Sequence, residues 1–241
     1  MKPWRPSELC GLLLGLLLSG VTLALSASPI LKPFTATFSV WRGALPLGSL
    51  ELKLELKQGD AYSYHAHTQP GLLAGLFSGE DLMEESHGRI ASDRVVPESY
   101  DYRETGDEPD NADVRFDWKT MQAHTSSGGV TWSQEIVSGT QDRLSQQLMV
   151  RLQLARGETE VTYPVADGGK LKHYQFRVVG EEPIKTPQGK LNCLKVERSK
   201  ESRPPDYTIW FAPQLDYLPV RIERDRGGAH YRMVLEELEG L

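Results

Sequence analysis

The chain is poor in the residues that staple, decorate or arm a protein. Of its 241 residues, two are cysteine, Cys10 and Cys193, and two are asparagine, Asn111 and Asn192. Cys10 lies in an N-terminal apolar run that reads as a removable leader. Cys193 is then the lone thiol, and an intramolecular disulfide is excluded. Neither asparagine opens an N-x-[ST] acceptor, so N-linked glycosylation is excluded too. There is no G-x-S-x-G elbow, no H-E-x-x-H and no phosphate-cradling glycine loop. A cationic surplus is also missing, since 27 basic side chains face 33 acidic ones. Such a surface repels the phosphates of nucleic acid and does not suit a polybasic membrane-binding mode.

What is present begins at the N-terminus. Lys2 and Arg5 precede an apolar run from Leu9 to Leu25, and the small residues Ser26-Ala27-Ser28 follow before Pro29. This is the order of a secretory signal, with cleavage expected near Ala27 and Ser26 as the alternative. The opposing reading is an uncleaved anchor. It is weakened by the run's 17-residue length, at the short limit of a spanning helix, and by its three glycines. Cys10 stands at the start of the run rather than after it, which does not fit a lipoprotein signal. Loss of residues 1–27 removes Lys2, Arg5 and Glu8 and leaves 25 basic and 32 acidic side chains, a net charge of −7. An exported chain without disulfides or glycan acceptors points to a bacterial periplasm. Residues 28–241 are expected to form a single β-rich domain, large enough to bury a core without staples.

The remaining chain alternates with period 2. In Phe34–Trp41 the side chains of Phe34, Ala36, Phe38 and Val40 share one face. Leu50–Lys57 alternates leucine with charge, and that period outweighs the helix propensity of leucine and glutamate. Gly59-Asp60 turns this strand into a second at 61–68, making a hairpin. Further strands are expected at 82–91, 95–103, 113–119, 121–126 and 130–137. The period then changes. Leu144, Leu148, Leu152 and Ala155 form one stripe, Asp142 can cap the start and Gly157 can stop the end, predicting a helix over 142–155. Strand signals resume at 158–165, 170–180, 189–199, 206–212, 218–226 and 229–238. The expected fold is mainly β, a large antiparallel curved sheet or open β-barrel of about twelve strands with one packed helix.

Candidate sites are few. The apolar, glycine-rich stretch 71–79 places Leu72, Leu73, Leu76 and Phe77 on one face if it is a short helix. These four are the candidate ligand-binding residues, as a lid over a greasy ligand; closing the bottom of the core is the competing role. His65 and His67 share a strand face and could supply two metal ligands, but no third is offered nearby, and surface histidines are the simpler account. The acidic stretch 107–113 lacks the glycine and distal glutamate of a calcium loop. Ser126 has no partnering histidine or acid. Cys193 reads as buried and inert, Trp210 and Phe211 as core anchors, and Pro219 as an edge or strand-start residue. No catalytic residue, metal or cofactor is assigned.

Several stretches together resemble a family of bacterial exported proteins, domain-of-unknown-function family 3108. They are Phe34–Trp41 with Gly48–Leu52, Pro97–Tyr102, Asp142–Ser145, Ile184–Gly189 leading through Cys193 to Arg198, and Trp210 with Leu218–Ile222. The resemblance spans nearly the whole mature chain and carries no catalytic residues. It implies a periplasmic β-rich domain similar in architecture to the lipoprotein-localisation factors, where a helix lies against a curved sheet around an apolar cavity. The expected function is therefore non-enzymatic binding or envelope maintenance, with a lipid or acyl chain as ligand. The alternatives are a scaffold for another envelope protein and a hydrolase of envelope polysaccharide or peptide. Membrane contact is expected only through an uncleaved signal or transiently.

Overall fold

The fold is taken from a computed structural model that describes residues 31–71, 81–91, 93–106, 111–201 and 203–241. The leader expected at 1–27 and the candidates Leu72, Leu73, Leu76 and Phe77 lie outside the described residues.

Fourteen strands, one α-helix and a short 3-10 helix at Pro213–Leu215 are described. The strands are β1 (Phe34–Arg42), β2 (Leu45–Leu56), β3 (Ala61–Pro70), β4 (Leu82–Ala91), β5 (Arg94–Glu104), β6 (Ala112–Asp117), β7 (Gln122–Ser127) and β8 (Val130–Glu135). The helix α1 (Ser145–Ala155) follows, and then come β9 (Glu160–Asp167), β10 (Lys170–Thr186), β11 (Gly189–Lys200), β12 (Tyr207–Ala212), β13 (Leu218–Arg226) and β14 (Ala229–Glu239). They form one antiparallel sheet in the order β8-β7-β6-β5-β4-β3-β2-β1-β14-β13-β12-β11-β10-β9. Every neighbour is also a sequence neighbour except β1 and β14, which join the two halves through pairs such as Val40 with Met233. None of the described helices is long and apolar enough to cross a membrane.

The period-2 pattern places the core as expected. Phe34, Ala36, Phe38 and Val40 are buried, as are Leu50, Leu52 and Leu54 on β2 and Tyr62, Tyr64 and Ala66 on β3. Each such leucine or phenylalanine contributes about 1.5–3 kcal/mol by leaving water. The helix expected over 142–155 begins at Ser145, most strand ends shift by a residue or two, and two strands are extended further. Strand β2 starts at Leu45 because Gly48 lets it run against the end of β3; a Cβ there would lie 2.0 Å from the Gln69 carbonyl oxygen. Strand β10 continues to Thr186 because the chain absorbs Val179 in a bulge between Val178 and Gly180 rather than turning at the glycine.

Helix α1 sits on the core face. Leu144, Leu148 and Leu152 join the main core, while Val150 and Leu154, on the far side of the helix, enter a second cluster with Tyr163, Val165, Tyr174, Phe176, Val196 and Phe211. The single stripe read from sequence is thus half of what is buried, because the sheet curls around both sides of the helix. At the C-terminus the Gly157 N–H bonds to the Leu154 carbonyl and the Glu158 N–H to the Gln153 carbonyl. That Schellman arrangement needs the positive φ of Gly157, +83°.

The edge strands β8 and β9 do not form a ladder with each other, so the sheet stays unclosed. Gln141 spans the seam instead. Its backbone makes a single parallel bridge to Val165 of β9, and its side-chain amide donates to the Val95 carbonyl of β5, 3.0 Å away. Trp132 of β8 lies against the β9–β10 turn, where a Cβ on Gly169 would come within 2.3 Å of the indole nitrogen. Cys193 is fully buried, and burial pushes its thiol pKa up. Trp210 and Phe211 are buried, and Pro219 sits at the start of β13 beside a bulge.

Candidate functional site

Two buried polar nodes lie along α1, one at its start and one in its second half. At its start Asp142 is fully buried and accepts three hydrogen bonds. The Leu144 and Ser145 N–H groups donate to Oδ1 at 2.7 Å each, and the Ser86 hydroxyl donates to Oδ2 at 2.6 Å. The Ser145 hydroxyl accepts from the Asp142 N–H in return, at 2.8 Å, closing a reciprocal cap. Tyr62 extends the chain to Ser86 at 2.9 Å. Burial raises the Asp142 pKa to about 6 against the opposing pull of these donors.

Further along the helix, Arg151 is 1% exposed. Its Nε donates to the Asp216 carbonyl at 3.1 Å, and its guanidinium lies 4.8 Å from the Phe34 ring centroid. Nη1 and Nη2 have no hydrogen-bond partner among the described residues. Burial lowers its pKa to about 10, with Tyr64 and Asp216 partly opposing, so it stays cationic at neutral pH. The accepting carbonyl is held by two consecutive non-glycine residues at positive φ, Asp216 at 48° and Tyr217 at 56°. This is a costly backbone that the surrounding packing must enforce.

The outer face of β3 and β4 carries a cluster that no local motif announced. The Ser63 hydroxyl lies 2.7 Å from His65 Nε2 and 3.0 Å from His87 Nδ1. His65 Nδ1 is 3.2 Å from one Glu85 carboxylate oxygen, and His87 Nε2 is 3.4 Å from the other. The Ser63–His65–Glu85 order matches a nucleophile–base–orienter chain. Two features keep it from acyl chemistry. Ser63 is 1% exposed. Strand β3 is also paired along its length with β2 and β4, so its peptide N–H groups are spent in the ladders rather than free to hold an oxyanion. His67 turns to Asp81 at 2.6 Å instead of sharing a ligand position with His65. Among the described residues no group of three or more His, Cys, Asp or Glu side chains is set to hold a metal ion.

The third feature lies at the rim of the core face. Met233 pairs with core-facing Val40 on one side and with Ile222 on the other, so Ile222 and Met233 face inward. Two residues further along each strand, the same face carries a row in which arginine and tyrosine alternate. Arg198 pairs with Tyr207, and Tyr231 with both Arg224 and Arg42. Arg198 stacks at 4.5 Å on Tyr174 and 4.1 Å on Tyr207, Arg224 at 4.8 Å on Tyr207, and Arg42 at 5.9 Å on Tyr231. Each contact contributes about 0.5–2 kcal/mol, more as water is excluded. Tyr207, Ile222, Arg224, Arg226, Tyr231 and Met233 line a groove of about 170 Å³. A second concavity, about 280 Å³, lies over β2–β4 and is lined by Glu51, Lys53, Glu55, His65, Ala66, His67, Met83, Glu84 and Glu85.

The structure brings His65 together with His87, Ser63 and Glu85, and leaves His67 apart. The 107–113 stretch contributes Asp113, which pairs with Arg103 at 2.5 Å; residues 107–110 lie outside the described residues. Sequence reading missed the arginine–tyrosine row and the Ser63 cluster. The available signals were Ser63-x-His65 on one strand and the spacing of arginines and tyrosines along β11 to β14.

This architecture defines a β-barrel-like protein. A solved structure with the same overall fold is the β-barrel-like protein of the DUF1849 domain from Brucella abortus, with a TM-score of 0.59 at 12% identity, covering 88% of this chain and 98% of that one. A protein from Bacteroides fragilis described as exported, with a YmcC-like fold, aligns at a TM-score of 0.36 and 10% identity over 88% of this chain and 97% of that one. A search of curated proteins gives no match. The family described as protein of unknown function, DUF3108, matches residues 34–236, and the chain belongs to it.

Proposed function

We propose that the protein is a non-enzymatic periplasmic binding protein that holds a lipid or other apolar ligand against the core face of its sheet. The observation that carries this reading is the groove of Tyr207, Ile222, Tyr231 and Met233, a set of apolar and aromatic side chains at the rim of an unclosed curved sheet. Its floor continues directly into the core through Met233 and Val40. At about 170 Å³ it is smaller than the roughly 300–1,000 Å³ of a complete small-molecule site, so it seats one end of a longer ligand. The space beneath α1 is not an empty pocket: Leu144, Leu148 and Leu152 are each 2% exposed or less. The ligand therefore enters at the groove and not between helix and sheet. The N-terminal leader supports delivery to the periplasm.

The test is native mass spectrometry and lipid extraction of protein purified from the periplasm, beside an Ile222→Asp variant. Co-purifying lipid that is lost from the variant is the expected result. Protein that carries no lipid, and takes none up from solution, overturns the reading.

A second reading, a scaffold for another envelope protein, draws on β8. This is an edge strand with Val130 61% exposed, open to strand addition. Periplasmic crosslinking from β8 that captures one defined protein, with lipid content unchanged, would favour it.

A further inference from the structure

We infer that the groove selects lipids with an anionic head group, an inference that rests on the lipid-binding reading and narrows it. The argument starts from charge. The protein as a whole is acidic, with a formal net charge of −6. The rim of this groove is the opposite. Arg224 and Arg226 line it, Arg42 lies beside it across from Tyr231, and none of the three is in an ion pair among the described residues.

The carboxylates nearby are used elsewhere. Asp206 forms a two-pronged pair with Arg198, at 3.1 Å and 2.7 Å. Glu223, one residue from Arg224 and hence on the other face of β13, is bonded by Arg221. Asp225 Oδ1 accepts from Nδ1–H of the His230 ring at 2.9 Å. The Nε of Arg224 is buried with no hydrogen-bond partner among the described residues, so no protein carboxylate or carbonyl engages it there. Stacking on Tyr207 fixes the plane of the Arg224 guanidinium. Arginine held flat in this way presents paired N–H groups to a carboxylate or phosphate, and excluded water strengthens the pairing.

The apolar floor of Ile222 and Met233 lies next to these cations on the same face. A head group bonded to Arg224, with Arg42 and Arg226 beside it, directs its chain along that floor toward the core. A neutral head group would leave the three arginines without an anionic partner. The occupant is therefore an acyl chain ending in an acid.

The experiment compares decanoate with decanol, identical tails that differ only in head charge, by isothermal titration at low and moderate salt. Decanoate is expected to bind at least ten-fold more tightly than decanol, with the advantage shrinking as salt screens the exposed arginines. In the R42Q/R226Q double variant, altered at two exposed positions that leave the stacked Arg224 in place, the advantage should fall several-fold. Arg224→Lys keeps the charge but not the flat donor pair and should also bind less tightly. Equal binding of the two probes, or a double variant that keeps the full decanoate preference, overturns the anionic selectivity while leaving lipid binding intact. If neither probe binds, the lipid-binding reading itself falls.

Discussion

Asp142 offers the sharpest test of how the helix is seated. Its carboxylate is fully buried, its pKa is raised to about 6 by burial, and its ordinary value in an unfolded chain is about 3.9. The folded state thus holds the proton more tightly than the unfolded state between those two values. Stability from this group is greatest when both states are protonated. It declines as pH rises past 3.9, where the unfolded chain starts to ionise first, and levels off above 6. At about 1.4 kcal/mol per pKa unit the total is about 3 kcal/mol, of which about 2 kcal/mol falls between pH 4.5 and 7.5. Asp142→Asn removes the ionisation but keeps an oxygen for the Leu144 and Ser145 N–H groups. Its amide can donate to Ser86, whose hydroxyl then turns toward Tyr62. Urea unfolding followed by tryptophan fluorescence, run on wild type and D142N from pH 4.5 to 7.5, should show the variant gaining about 2 kcal/mol relative to wild type as pH rises. Asp142→Ala has no such oxygen and should be less stable at every pH by about 1 kcal/mol for the cap, plus about 1–3 kcal/mol for the stranded hydroxyl. A wild-type–D142N difference that stays flat across the range, or one that moves the other way, would refute the buried, ionisable carboxylate.

Three further outcomes follow from particular contacts. Arg151→Met exchanges a buried cation with two unpartnered nitrogens for an apolar chain of similar length, and should raise stability by about 1 kcal/mol, or about 2–4 °C in Tm; a fall in Tm in calorimetry would mean the guanidinium is paired. Gly169→Val puts a side chain into the Trp132 indole and onto a backbone at φ +70°, so it should cost about 1–3 kcal/mol and speed amide exchange in β8 and β9 ahead of β1 to β4; uniform exchange would count against a locally held seam. Ser63, occluded and without free amide donors nearby, should resist a fluorophosphonate probe at every pH between 6 and 9, and stoichiometric labelling detected by mass spectrometry would reopen the hydrolase reading.

Much of the fold was legible because its local signals agree. The leucine–charge alternation of 50–57 became β2 with Leu52 and Leu54 buried, and Asp142 and Gly157 bound the helix as their chemistry requires. What escaped the sequence depends on register and curvature. Val150 and Leu154 lie off the stripe that the helical period picks out, and they are buried only because the sheet wraps that side as well. Ser63 and Glu85 meet His65 only because β3 and β4 pair Ser63 with His87 and His65 with Glu85. The arginine–tyrosine row is assembled from residues near both ends of the chain, Arg42 and Tyr231 among them, and no window along the sequence contains it. Of the candidate site, the apolar stretch holding Leu72 and Phe77 drew attention by composition, whereas the groove drew none because its residues are ordinary on any one strand.

The pairing of β1 with β14 has a consequence for how the molecule is made. Every other ladder in the sheet joins strands that follow one another along the chain and can zip as hairpins soon after they emerge. The β1–β14 ladder alone brings Thr35 against Glu239 and must close almost the entire chain as one loop, a long-range step that costs entropy before it returns contacts. A chain emerging N-terminus first therefore exposes the open edge of β1 until its last strand arrives. Loss of even the final dozen residues would strand that edge, leaving two half-sheets that recognise each other but lack the strand that joins them.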